Sequence, residues 1–154
     1  MVDERVGGNF WLSEFLRSDT AVRRGIDNVP GAAVLATIRG TLGPGMQRVR
    51  NALDVPVLIT SGYRSPTLNA AVGGSRNSAH MTGLAADFIS PVFGTPKAIA
   101  RYLIERSAEI RFHQLIWEGQ WVHVAFAPPG TPPAGEVLTA HFSGGSVSYA
   151  RGIS

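Results

Sequence analysis

Ser78-Ala79-His80-Met81-Thr82-Gly83-Leu84-Ala85-Ala86-Asp87-Phe88 sets a histidine and an aspartate seven residues apart, with a glycine and small residues between them. Thirty-six residues beyond Asp87 a second histidine follows, in Trp121-Val122-His123-Val124. Two imidazoles and one carboxylate make a three-ligand set, and three protein ligands with one position free is the pattern of a catalytic zinc. Leu84 to Ile89 reads as a strand on which Asp87 shares a face with Ala85 and Ile89. Trp121 to Phe126 reads as another, with Trp121, His123 and Ala125 on one face. Ligands on neighbouring strands converge well because strand positions are rigid. The rest of the chain reads as scaffold and substrate grip for that set.

Working outward, His113 to Trp117 is a further strand, joined to the His123 strand through Glu118-Gly119-Gln120 as a hairpin. Thr95-Pro96 is a cap followed by a helix-opening proline, and the helix is expected to run to about Ser107. Ser65-Pro66 repeats that signature for a short helix through Val72, which Gly73-Gly74 ends. Val55 to Thr60 is a short β-rich run, and Pro56 argues for an edge position or a strand start. From about Ala32 to Leu53 apolar residues recur at helical spacing, at Val34, Leu35, Ile38, Leu42, Met46, Val49 and Leu53. Gly43-Pro44-Gly45 interrupts that stretch and predicts a kink or two shorter helices. Gly25 to Pro30 is a loop. Ser13 is placed to N-cap a short helix from Glu14, with Phe15, Leu16, Ala21 and Val22 facing the core. The tail from Pro128 is rich in Gly, Pro and Ser, with a possible strand at Val137 to Phe142. No internal repeat and no linker is visible. The expectation is one α+β domain spanning 1–154, with helices packed on a small, mostly antiparallel sheet that carries the site.

A chain of 154 residues suits one domain with a real core and leaves little room for two. With 44% hydrophobic and 16% charged residues, disorder is not expected. There are no cysteines, so a disulfide scaffold and a thiolate metal site are both excluded. Net charge is +3 and the pI is near 10, yet no Lys/Arg run tracks a helix face. That is a solvated basic surface with some attraction to polyanions, and it lacks the basic stripe interleaved with aromatics of a nucleic-acid binder. The opening Met-Val-Asp-Glu-Arg-Val-Gly-Gly has no apolar h-region, so synthesis in the cytoplasm without a signal peptide is expected. No apolar run is long enough to span a membrane.

Amide hydrolysis at a zinc also requires a base within reach of the attacking water. Glu118, in the hairpin before His123, is the nearest acid in sequence. Arg64 is the natural two-pronged grip for a substrate carboxylate. Ser78 is placed to bond substrate or to hold His80. The plainer readings are a core role for Trp121, a strand-ending turn for Ser61-Gly62-Tyr63-Arg64, and surface or core positions without a ligand role for His113 and His141.

Taken in order, Ser61-Gly62-Tyr63-Arg64-Ser65-Pro66, Asn69, Val72-Gly73-Gly74, Ser78-x-His80-x-x-Gly83-x-Ala85-x-Asp87-Phe88 and Trp121-Val122-His123 resemble the zinc D-Ala-D-Ala peptidases. That group includes zinc D-Ala-D-Ala carboxypeptidases, VanY- and VanX-type enzymes and phage L-alanyl-D-glutamate endolysins, with the hedgehog/DD-peptidase fold. The likeness covers about residues 9 to 126 and is nearest to the small phage and prophage branch; the last 28 residues match poorly. The resemblance implies one zinc ion held by His80, Asp87 and His123, with Arg64 near the substrate and Ser78 two before the first ligand. It implies a peptidase that cleaves a peptide bond of the peptidoglycan stem peptide by zinc-activated water. Many relatives carry an acid three residues before the last histidine, where this chain has Gln120, so Glu118 is the expected base. The alternative is a non-catalytic zinc-containing peptidoglycan-binding or structural virion module. A further rival is a dipeptidase acting on free D-Ala-D-Ala. The expected setting is a monomeric phage- or prophage-encoded protein that acts on the bacterial wall, with no nucleic-acid or membrane partner.

Overall fold

Along the His123 strand, Val122 and Val124 face one way and His123 and Ala125 the other, and all four are buried. A strand buried this completely must sit inside a sheet, with a partner strand on each edge. The structure, a computed structural model, describes residues 2–154 and shows that arrangement. Six strands run β3 (Leu58–Ser61), β4 (Ala85–Ile89), β6 (Val122–Ala125), β5 (Gln114–Trp117), β7 (Glu136–Ser143) and β8 (Ser146–Arg151) across the sheet. Neighbours are antiparallel except β5 and β7, which are parallel. The fold is α+β, and the sheet is mostly antiparallel, as the sequence indicates.

One face of the sheet is apolar. Ala86, Phe88, Leu115, Val122 and Val124 are fully buried there and belong to the same core as Met46, Val49, Ile99 and Leu103 from the helices. Burial of this kind stabilises by about 1.5–3 kcal/mol per large side chain. The opposite face carries Asp87 and His123, which are register partners across β4 and β6.

The helical layer is built as the spacing suggests, with one difference. α3 (Ala32–Thr37) and α4 (Gly43–Leu53) are not separated by a break, because a π turn at Ile38–Leu42 joins them. Gly43 N–H bonds back to the Ile38 carbonyl, and Pro44 has no N–H to give. Widening the helix by one residue per turn at this point absorbs the proline that would otherwise clash with the turn before it. Gly43 serves close approach here, since a Cβ would lie 2.0 Å from the Val6 carbonyl oxygen of β1 (Arg5–Gly7). Gly43→Ala is therefore expected to destabilise the chain by about 1–3 kcal/mol through overpacking, read as a fall of several degrees in thermal midpoint. A midpoint equal to that of the parent would remove the close-approach explanation.

The N-terminal region departs further from expectation. β1 pairs with β2 (Phe10–Trp11), and α1 (Leu12–Leu16) follows directly. Ser13 is inside that helix and does not cap it; its N–H and hydroxyl both donate to the Asp3 carboxylate. Glu14 reaches back to accept from Trp11 N–H instead. In α2 (Asp19–Arg24), capped by Ser18, Ala21 is buried but Val22 is 81% exposed and faces solvent. α5 (Pro66–Ala71) and α6 (Pro96–Ile104) start at the expected prolines behind Ser65 and Thr95. α6 ends at Ile104, and α7 (Ser107–Ile110) is separate. The tail supplies two strands where one was expected, with a β7–β8 turn through Gly144 and Gly145, both at positive φ. Among the described residues no helix is long and apolar enough to cross a membrane.

Candidate metal centre

Three elements deliver the ligand set. His80 lies on a 3-10 turn, Ala79–Thr82, that Ser78 caps by accepting from His80 N–H. Gly83 leaves that turn at φ 75°, a left-handed conformation that glycine adopts without strain, and the chain enters β4. Asp87 and His123 then face each other across β4 and β6. His80, Asp87 and His123 are 2%, 6% and 8% exposed. One ligand atom from each lies within 4.8 Å of the others.

The hydrogen bonds orient the imidazoles. His80 Nδ1 is 2.7 Å from the Gly62 carbonyl oxygen, which only accepts, so Nδ1 carries the proton. The other ring nitrogen, Nε2, faces Asp87 Oδ1, 3.2 Å away. His123 Nδ1 lies 2.9 Å from the same oxygen. Both imidazoles thus converge on one carboxylate oxygen, the placement from which all three groups could share an ion. Burial alone would push the Asp87 carboxyl up, but the hydrogen bonds and charges of His123 and His80 outweigh it and hold the group well below the usual carboxylate range. Buried imidazole nitrogens and an ionised carboxylate, with no sulfur, are the donor chemistry that fits one zinc ion.

Around the set a second layer fixes Asp87. Arg64 donates from Nη2 to Asp87 Oδ2 at 3.3 Å, from Nη1 to Asn69 Oδ1 at 3.2 Å and from Nε to Ser61 Oγ at 3.2 Å. Asn69 is itself held, donating to the Ser75 carbonyl. Gly74 permits this packing, since a Cβ there would lie 2.0 Å from Asn69 Oδ1. Arg64 thus points at the free oxygen of a candidate ligand, and only its remaining N–H groups are open to a substrate. Outer partners of ligands typically carry about 10–100-fold in metal affinity. Arg64→Ala is expected to weaken zinc binding by about that factor in a chelator competition. Unchanged affinity would show that Asp87 needs no such support.

A cleft of about 540 Å³ opens beside the set, lined by Arg17, Arg23, Tyr63, Arg64, Asp87 and Trp121 among others. Trp121 is thus a wall of this cleft, half-buried, where the sequence suggested core. Its indole N–H is buried without a hydrogen-bond partner. Arg17 and Arg23, both exposed, add positive charge that the sequence motifs did not mark.

Glu118 follows β5 on the face shared by Ile116 and His123, which are register partners. The carboxyl is half-buried, and burial pushes its pKa up; Asp87 adds to the rise, and His123 and Arg64 oppose it. Those charges place Glu118 electrostatically at the ligand set. Gln120 sits exposed in the turn between β5 and β6, its N–H on the Glu118 carbonyl. His113 accepts from Ala134 N–H and His141 is exposed, so neither joins the set.

Residues 8–125 match the family described as Peptidase M15. Over 43 residues the chain is 49% identical to the zinc D-Ala-D-Ala carboxypeptidase of Streptomyces albus G, a stretch that covers 27% of this chain and 17% of that protein's length.

Proposed function

The chain belongs to the peptidase M15 family, and from that membership and the buried ligand set we propose that it is a zinc peptidase acting on the stem peptide of peptidoglycan. The observation that carries the reading is the convergence of His80, Asp87 and His123, with Glu118 on the same sheet face. His80, Asp87 and His123 would hold one ion. Lewis-acid polarisation of a carbonyl and acidification of water are the chemistry that zinc supplies when bound. Glu118, with its carboxyl raised by burial, takes the proton of the attacking water and returns it to the leaving amine. Arg64 holds Asp87 in place and turns its spare N–H groups, with Arg17 and Arg23 beyond, to the carboxylates of the stem peptide. Ser78 fixes the turn that carries His80 and is within the chain segment that would face substrate. The whole of 1–154 acts as one unit in this reading, as a monomer.

A second reading has one observation in its favour. Gln120 cannot accept a proton as an acid would, and a chain that relied on that position would bind zinc and wall peptide without turnover. Mass spectrometry of soluble products from purified peptidoglycan separates the two. Fragments that form with zinc and vanish with chelator support the peptidase, and their termini name the bond as carboxypeptidase or endopeptidase type. One bound zinc without any product supports the binding module.

A further inference from the structure

The β7–β8 hairpin lies outside the matched residues 8–125. On β8 every position is exposed, so no core demands a pattern there. A pattern is present nonetheless. Phe142 pairs with Val147 and Ala140 with Tyr149, while His141 pairs with Ser148 and Ser143 with Ser146. Apolar and aromatic groups thus occupy one face, and hydroxyls and an imidazole the other. Phe142, Val147 and Tyr149 are 61%, 44% and 50% exposed. An apolar sheet face left open beside a polar one marks a surface that something covers.

The register says which face it is. Asp87 pairs with His123, His123 with Ile116, Ile116 with Leu138 and Leu138 with Arg151, so these residues form one row across the sheet. Opposite residues share a face, and residues two apart along a strand share it too. Ala140 and Tyr149 are therefore on the face of the metal set, in the row that Glu118 begins. The Tyr149 hydroxyl is pushed up by burial and by the charges of Glu118 and Asp87, which puts the phenol within their field and keeps it a donor. Three strand spacings separate β6 from β8, roughly 14 Å, or about four residues of extended peptide.

Resting on the peptidase reading above, we propose that the Phe142–Val147–Tyr149 face of the hairpin is the far substrate subsite, gripping the wall peptide on the Glu118 side of the cleaved bond. The arginine-lined cleft lies on the β3 and β4 side of the ligand set, so substrate extends both ways from it. That two-sided groove suits an endopeptidase. Arg151 on the same face adds a positive charge toward an anionic wall. Continuity of this face with the ligand set, and that charge, favour substrate over a second copy of the chain as its occupant.

The experiment compares the zinc-loaded parent with a variant carrying Phe142→Ser, Val147→Ser and Tyr149→Ser, and with Tyr149→Phe alone. All three side chains are exposed, so zinc content and thermal midpoint are expected to stay unchanged. Cosedimentation with purified insoluble peptidoglycan should weaken at least about tenfold in the combined variant, as expected when a cluster of contact side chains is lost. kcat/KM on wall should fall alongside, while a short peptide with one residue on either side of the cleaved bond is cut as by the parent. Tyr149→Phe, which keeps the ring, should keep most of the affinity. Equal wall binding by parent and combined variant overturns the proposal. So does a dimeric parent that the combined variant renders monomeric, since the face is then a contact between copies. A parent that binds wall but releases no product defeats the peptidase reading instead, and the binding comparison still decides the role of the hairpin.

Discussion

Alanine at His80 or His123 is expected to take bound zinc from one equivalent per chain to near zero, and peptide hydrolysis to background. Each imidazole is one of three donors in a buried set, and either substitution leaves only two where a zinc site of this kind uses three. His80→Ala also strands the Gly62 carbonyl, which accepts from His80 Nδ1 at 2.7 Å. Both substitutions leave Asp87 buried with less compensation, because the two histidines supply the hydrogen bonds that keep it ionised. A ligand that binds only the folded chain raises its stability by mass action. The parent's thermal midpoint should therefore rise with added zinc, and that of either variant should not. Metal analysis and a thermal titration read these outcomes directly. His113→Ala and His141→Ala are the controls and should keep full zinc, since one accepts from Ala134 N–H and the other is exposed. A His123→Ala protein that still holds one equivalent would remove His123 from the set.

Why this candidate set was legible in the sequence is a matter of period. Asp87 and His123 lie on short apolar strands whose alternation fixes which residues share a face, so the pairing of β4 with β6 needed only a hairpin and an antiparallel neighbour. Ser65-Pro66 and Thr95-Pro96 were equally readable, because an oxygen cap and a proline at the first turn act through local geometry alone. Ser13 failed as a cap for a reason no local rule contains: Asp3, ten residues earlier, accepts from it across a strand pair. Gly43-Pro44-Gly45 signalled a break, and the chain answered with a π turn because the wider turn accommodates Pro44 without ending the helix. The outer layer of the site was hidden in the same way. Arg64 was visible as a charge near the motif, but its aim at Asp87 depends on Asn69, Ser61 and the chain passing close at Gly74. The β7–β8 hairpin lay in a Gly-, Pro- and Ser-rich tail, where alternation was faint and only the partner strand β5 gave it a register.

Glu118→Gln is expected to leave one zinc bound and to lower the rate by about 10²–10⁴-fold, the usual share of a general base. The substitution keeps the size and much of the hydrogen bonding of the side chain while removing the proton acceptor. Its effect should appear in kcat more than in KM, because a base acts in the transition state and contributes little to substrate binding. The sequence leaves a choice between Glu118 and the position three before His123, which is Gln120. The structure distinguishes their settings. Glu118 is half-buried on the face of the ligands and feels His123, Asp87 and Arg64, whereas Gln120 is exposed in the turn. Gln120→Glu in the Glu118→Gln background is the informative partner. If the turn held its side chain toward the ligands, the acid would restore the rate; the exposed turn predicts that it restores little. A Glu118→Gln enzyme with the parent's rate would move the base elsewhere. A restored double variant would place it at position 120 and make this hairpin a device that can seat its acid at either of two sites.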